Sequence, residues 1–175
     1  MSNQSNPLPT SSSPPSLIEA GDGRYHLSEP ASLDDVYNLM LSLLEIKYLR
    51  PDTLSSPEAV RRFLQVKLAN LEHEVFSVVF LDSQHRVISY EEMFRGTIDS
   101  ANVYPREIVK RCMQLNAAAV IFSHSHPSGV PEPSQADKRI TERLKEALSL
   151  VDIRVLDHIV IGGSDSVSMA ERGIL

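Results

Sequence analysis

The chain has 175 residues, a net charge of −6 and a single cysteine, Cys112. That length suits one domain with a single core, since compact domains commonly run to about 100–150 residues. A lone thiol excludes an intrachain disulfide, and the acidic balance argues against tight binding to a nucleic-acid backbone, which takes clustered Lys and Arg. No apolar run approaches the roughly 20 residues needed to cross a bilayer. The amino terminus has neither a basic start nor a hydrophobic signal core, so no membrane partner and a cytoplasmic location are expected.

The opening "MSNQSNPLPTSSSPPS" is rich in Ser, Pro and Asn and nearly free of large apolar side chains. Such a stretch cannot recover the entropy cost of ordering, and residues 1–23 read as a disordered tail. Residues 24–70 read as an amino-terminal helical segment. In its first helix Ser32 caps, Asp34 and Asp35 favour the positive first turn, and Leu33, Val36, Leu39, Met40, Leu43 and Leu44 recur at helical spacing to about Tyr48. Ser56-Pro57-Glu58 opens a second helix, continued by Val60, Phe63, Leu64, Lys67, Leu68 and Leu71 and expected to end near Glu72.

From there the period falls toward two. "EVFSVVFLD" and "RVISYEEMF", joined by "DSQH", read as a hairpin. "AAAVIFSHSH" and "IRVLDHIVIGG" read as two further strands, and "VSMAE" as a short last one. Helices are expected at Pro105–Asn116 and Ser134–Leu150. Cys112, inside the first of these, reads as a packing residue. The order predicts an α/β layered domain with a mixed β-sheet. Between Tyr104 and Lys145, seven basic residues (Arg106, Lys110, Arg111, Lys138, Arg139, Arg143, Lys145) face four acidic ones. Solvated helix faces are the first reading of that excess, and a polyanion site is the second.

The densest chemistry lies in "SHSHPSGVPEPSQAD", residues 123–137. Side chains at i and i+2 of a strand leave on one face, so His124 and His126 aim both imidazoles at one point. A third ligand can come from Asp137, in the first turn of the next helix, which would leave a fourth tetrahedral position open, the pattern of a catalytic zinc site. Zinc is favoured for two imidazoles and a carboxylate, a set that also accepts iron, cobalt or nickel. Hydrolysis needs in addition a carboxylate outside the metal's coordination shell to carry the proton. Ser134-Gln-Ala-Asp137 is equally a capping box that requires no metal. His26, His73, His85 and His158 read as structural.

Taken together, "HSHPSG", "PSQAD" and an upstream Glu resemble the JAMM motif of MPN-type metalloproteases. The match is closest to the RadC-like branch, with "EVFSVVFLDSQHRVIS", "FRGT", "HPSGVPEPSQADKRITERL", "VLDHIVIGG" and "AERGIL" in unbroken order from about Leu71 to Leu175. The resemblance implies a three-layer α/β/α MPN domain over residues 71–175, similar to cytidine deaminases, with Zn2+ on His124, His126 and Asp137. Glu74 matches the motif glutamate as general base, Ser134 matches the serine that assists the oxyanion, and Glu72 is left as solvated charge. The implied activity is hydrolysis of a peptide or isopeptide bond in a peptide or protein substrate by zinc-activated water. The alternative is a nucleic-acid-associated accessory factor that uses the basic helices, with zinc structural or absent. Two departures stand out. Ser125 sits where many RadC-like proteins have Asn, with little effect expected on the metal. The helix-hairpin-helix of longer relatives needs a glycine, and none occurs between Gly23 and Gly96.

Overall fold

The computed structural model describes residues 16–21, 24–48, 56–69, 71–96 and 102–175. These divide into two units that meet in sequence at Leu43 and Leu44. Among the described residues no helix is long and apolar enough to cross a membrane.

The first unit holds a two-stranded antiparallel ribbon, β1 (Leu17–Glu19) and β2 (Tyr25–Leu27), and the start of α1 (Leu33–Tyr48). Residues 1–15 of the expected tail lie outside the described residues. Leu17–Glu19 is a strand where a tail is expected, closed by the Ala20 N–H to Arg24 C=O bond and by Gly21 at φ +84°. Ser32 begins α1 as expected: its hydroxyl accepts from the Asp35 N–H at 3.1 Å and the Asp35 carboxylate accepts from the Ser32 N–H at 2.9 Å.

The second unit is a three-layer sandwich around a five-stranded sheet of order β4-β3-β5-β6-β7. The strands are β3 (Val75–Leu81), β4 (Val87–Arg95), β5 (Ala119–Ser125), β6 (Arg154–Gly162) and β7 (Asp165–Ser168). β5 and β6 run parallel and the other neighbours antiparallel, so the sheet is mixed. A parallel pair needs a crossover, and α4 (Gln135–Ser149) supplies it. Period-two alternation sends the two faces of β3 and β5 to different layers. Val75, Val79, Leu81 and Ala119 pack against Val60, Phe63, Leu64 and Leu68 of α2 (Pro57–Leu68). Phe76, Val78, Phe80, Val120 and Phe122 pack against Ile108 and Cys112 of α3 (Pro105–Leu115) and Leu144 and Leu148 of α4. Each fully buried side chain of this size contributes about 1.5–3 kcal/mol of transfer free energy.

Element ends follow local chemistry. α2 stops at Leu68, short of Glu72, because the chain must turn within a few residues into β3. Asn116 closes α3 in the left-handed region at φ 52°, ψ 41°. The last strand lies two residues earlier than "VSMAE". Gly163, at φ +57°, turns the chain directly after β6, so Asp165–Ser168 pairs back and residues 169–171 form turns.

Gly162 matters for a different reason. A Cβ there would stand 2.6 Å from Pro131 N, 2.7 Å from Val130 C and 2.8 Å from Gly129 C, all backbone. The end of β6 thus makes room for the 129–131 loop. Gly162→Ala is expected to cost about 1–3 kcal/mol, the range for overpacking a filled site. The urea midpoint reads this out, and an unchanged midpoint would show that the loop simply gives way.

Candidate metal centre

β5 delivers His124 to the carboxyl end of the sheet, buried at 1% exposure. His126 lies one residue beyond the strand but keeps its register, because its N–H donates to the Ile161 carbonyl at 2.8 Å. Asp137 comes from the first turn of α4. There Ser134 and Asp137 form a reciprocal capping box, the Ser134 hydroxyl accepting from the Asp137 N–H at 3.1 Å and Asp137 Oδ2 from the Ser134 N–H at 2.7 Å. The cap and the carboxylate's approach to the two imidazoles occur together, so the two readings of "PSQAD" are geometrically compatible in one residue.

The three side chains converge. His124 Nε2 and His126 Nε2 are 2.9 Å apart, His124 Nε2 is 3.4 Å from Asp137 Oδ1, and His126 Nε2 is 3.6 Å from Asp137 Oδ2. Tetrahedral ligands at about 2.0–2.2 Å from a zinc-sized ion stand roughly 3.3–3.6 Å from one another. The carboxylate edges already match that spacing, and the imidazole pair needs only a slight opening. His126 Nδ1 lies 2.8 Å from the Val130 carbonyl, which can only accept. In its neutral form the ring therefore keeps its proton on Nδ1 and turns the Nε2 lone pair toward the triad. The donor set fits a divalent metal ion, and His124, His126 and Asp137 are the His, Cys, Asp and Glu cluster able to hold one among the described residues.

The electrostatics point the same way. Burial opposes ionisation of Asp137, but the bonds to the His124 and His126 rings, the charge of His124 and the bond to Ser134 outweigh it and hold the carboxyl well below the usual range. His126 is pushed up, chiefly by the bond to Asp137, against burial and with help from Val130, the Asp137 charge and Glu74. The triad attracts positive charge, whether a proton or a metal ion brings it.

Glu74 and Ser134 join the triad on one cavity of about 530 Å³, with Phe76, Asn102, Val103, Ile140 and Arg143 also on its wall. Glu74 is half-buried directly before β3, its carbonyl accepting from the Gly96 N–H at 2.8 Å, whereas Glu72 is exposed. A larger cleft of about 620 Å³ beside α2 includes Val60, Leu81, Ile121, Leu156 and Ile159. Its Asp157 is already engaged by the Ser168 hydroxyl and the backbone N–H groups of His158 and Ala170, so it lacks a converging donor set.

Two residues carry more than the sequence disclosed. Ser125 turns away from the triad, and its hydroxyl accepts from the Val75 N–H at 3.1 Å and reaches the His73 carbonyl at 3.4 Å. It thereby ties down the backbone on both sides of Glu74. Ser125→Ala would strand the buried Val75 N–H and is expected to cost about 1–3 kcal/mol in denaturant unfolding with metal uptake retained. An equally stable variant would show that this bond is dispensable.

His158 is the second. It is fully buried and read as structural, yet its Nε2 lies 2.8 Å from His124 Nδ1 and its Nδ1 2.5 Å from the Thr141 hydroxyl. Burial first, and then the charge of His124, keep its ring neutral, lowering it well below the ordinary imidazole value. The available signal was a polar ring inside the apolar run "VLDHIVIGG", since a buried polar group requires a partner.

Comparison with known proteins agrees with this architecture. Residues 54–174 match the family described as RadC-like JAB domain. A UPF0758 protein of Vibrio cholerae is 59% identical over 152 residues, which cover 87% of this chain and 96% of that protein. UPF0758 proteins of Cellvibrio japonicus and Marinobacter nauticus are 64% and 63% identical over 124 residues, 71% of this chain and 55% of each of theirs. The chain therefore spans about half the length of the latter two. With a family match across most of its length, laid over the mixed sheet and the His-His-Asp cluster just described, the chain belongs to the RadC-like JAB domain family.

Proposed function

We propose that the protein is a zinc-dependent hydrolase of peptide or isopeptide bonds. The observation that carries this reading is the convergence of His124, His126 and Asp137 on one point, on the same cavity wall as Glu74. Bound zinc would polarise a carbonyl and acidify water toward neutral pH. The chain's own residues would supply the rest. Glu74, outside the ligand set, takes the proton from the attacking water and passes it to the leaving amine. The Ser134 hydroxyl accepts from the Asp137 N–H, which leaves its own proton to donate to the developing oxyanion. Phe76, Val103 and Ile140 offer apolar contacts to the substrate side chains.

The test is metal content by elemental analysis of the purified protein against His126→Ala, followed by zinc-induced stabilisation at several pH values. About one zinc per chain, lost in the variant, is expected. The pH dependence has a definite sign. The folded protein raises His126 above its ordinary value of about 6.5, so the proton stabilises the metal-free fold fully below that value. That contribution is lost as pH rises through the raised value. Zinc competes for the same nitrogen, so the Tm increase on adding zinc should grow from about pH 6 to about pH 8. A flat profile would remove His126 from the ligand set.

A second reading, a nucleic-acid-associated accessory factor with zinc structural or absent, rests on the α3–α4 layer. The two helices pack together, and Lys110, Arg139 and Arg143 are exposed on them. The basic excess is smaller than the sequence suggests, because Arg111 is held by Glu91, Lys145 lies 3.8 Å from Glu142 and Arg106 3.3 Å from Glu107. Titration with single- and double-stranded DNA at several salt concentrations decides it. A steep salt slope favours this reading, and no binding at low salt sinks it.

A further inference from the structure

His124 has two ring nitrogens, and only one arrangement of its proton leaves a lone pair on the nitrogen that faces His126 and Asp137. Within the triad the Asp137 carboxylate, 3.4 Å from Nε2, would draw the proton to the wrong nitrogen. The contacts behind the triad make the opposite choice. The Thr141 hydroxyl lies 2.6 Å from the Asp137 backbone carbonyl, which can only accept, so the hydroxyl proton is committed there. The Thr141 oxygen is left as an acceptor, 2.5 Å from His158 Nδ1, which must then carry the His158 ring proton. His158 Nε2 is bare in consequence and accepts from His124 Nδ1 at 2.8 Å. His124 Nε2 is bare in its turn, 2.9 Å from His126 Nε2 and 3.4 Å from Asp137 Oδ1.

Neither His158 nor Thr141 lines the cavity that holds the triad. His158 is wholly buried, paired beside Phe122 in the parallel β5–β6 ladder, with edge-on contacts to Phe76 and Phe122 that hold its ring plane. Thr141 sits one turn after Asp137 on α4 and is 2% exposed. The chain of bonds therefore starts at the backbone of one triad residue and ends on the ring of another.

We propose that Thr141 and His158 are positioning residues that set the tautomer of His124, and that the triad's affinity for metal depends on them. This rests on the reading of the triad as a metal centre. The relay runs in one direction because the Asp137 carbonyl cannot donate. Removing the Thr141 hydroxyl frees His158 to carry its proton on Nε2, and that proton would face His124 Nδ1 and drive the His124 proton to the metal side.

The test uses the full chain and the variants Thr141→Val, which keeps the shape without the hydroxyl, and Thr141→Ser, which restores it. Zinc affinity, read by competition with a chromogenic chelator, is expected to fall about 10- to 100-fold in the first and to return to the parent value in the second. Imidazole nitrogen-15 spectra of the metal-free proteins give a second readout that a purely structural role would not move. The His124 proton is expected on Nδ1 in the parent and in part on Nε2 in Thr141→Val. Equal affinity in the parent and both variants would overturn the proposal, as would a parent spectrum with the His124 proton on Nε2. The parent spectrum needs no variant, so it decides the matter even where Thr141→Val does not fold. A parent that takes up no zinc defeats the hydrolase reading instead, and the spectrum then judges the relay alone.

Discussion

Glu74→Gln is expected to lower hydrolysis of a peptide or isopeptide substrate by about 10²- to 10⁴-fold while leaving the zinc content of the protein unchanged. The amide keeps the size of the carboxylate and loses the proton shuttle. Glu74 is not one of the three converging donors, so metal uptake should not follow the activity. The measurement pairs a fluorogenic peptide and isopeptide library with elemental analysis of both proteins. A parent that holds zinc but cleaves nothing across that library, indistinguishable from the variant, would leave a metal-binding member of the family without the enzymatic role and would strengthen the accessory-factor reading. Ser125→Ala gives a useful contrast, because it disturbs the backbone around Glu74 without touching the carboxylate.

Substitution of Asp137 should separate its two roles. Asp137→Ala removes a proposed metal ligand and also the acceptor for the Ser134 N–H. Loss of bound metal is expected, together with a cost of about 0.5–2 kcal/mol from the broken cap at the start of α4. Asp137→Asn keeps a side-chain oxygen for the cap but loses the charge. It should lose metal-free stability only through the missing attraction to the His124 and His126 rings, and still bind zinc far more weakly. The first-turn position adds to the cost of losing the charge in both variants, since a carboxylate there also meets the positive end of the helix. Denaturant unfolding in the presence of a chelator isolates the cap, and unfolding with added zinc isolates the ligand. If both variants lost stability equally under chelation, the charge rather than the cap would be what Asp137 gives the fold.

How much of this was legible depended on sequence distance. The capped helices, the hairpin and the mixed sheet follow from signals within a few residues: Pro105 at the head of α3, Ser134 and Asp137 at the head of α4, apolar alternation through β3. The triad lies within residues 124–137, and strand alternation alone aligns its two imidazoles. His158 and Thr141 were out of reach because their partnership exists only once β6 lies parallel to β5 with α4 laid across them. The β1–β2 ribbon went unseen because three-residue strands carry almost no periodicity. β7 was displaced because "VSMAE" looks apolar, while the positive φ of Gly163 decides where pairing begins.

The single cysteine offers a clock for the motions of this domain. Cys112 is fully buried in α3 against the sheet, and burial pushes its thiol up to about 12, so in the closed protein it is both shielded and un-ionised near neutral pH. Once α3 lifts away the thiol regains an ordinary value of about 8.5 and reacts. The rate of labelling by a thiol reagent therefore counts openings of that helical layer. Because α4 both caps the metal loop and packs beside α3, a slower rate with zinc bound would mean that the site and the layer open as one cooperative piece, and an unchanged rate that the loop breathes by itself.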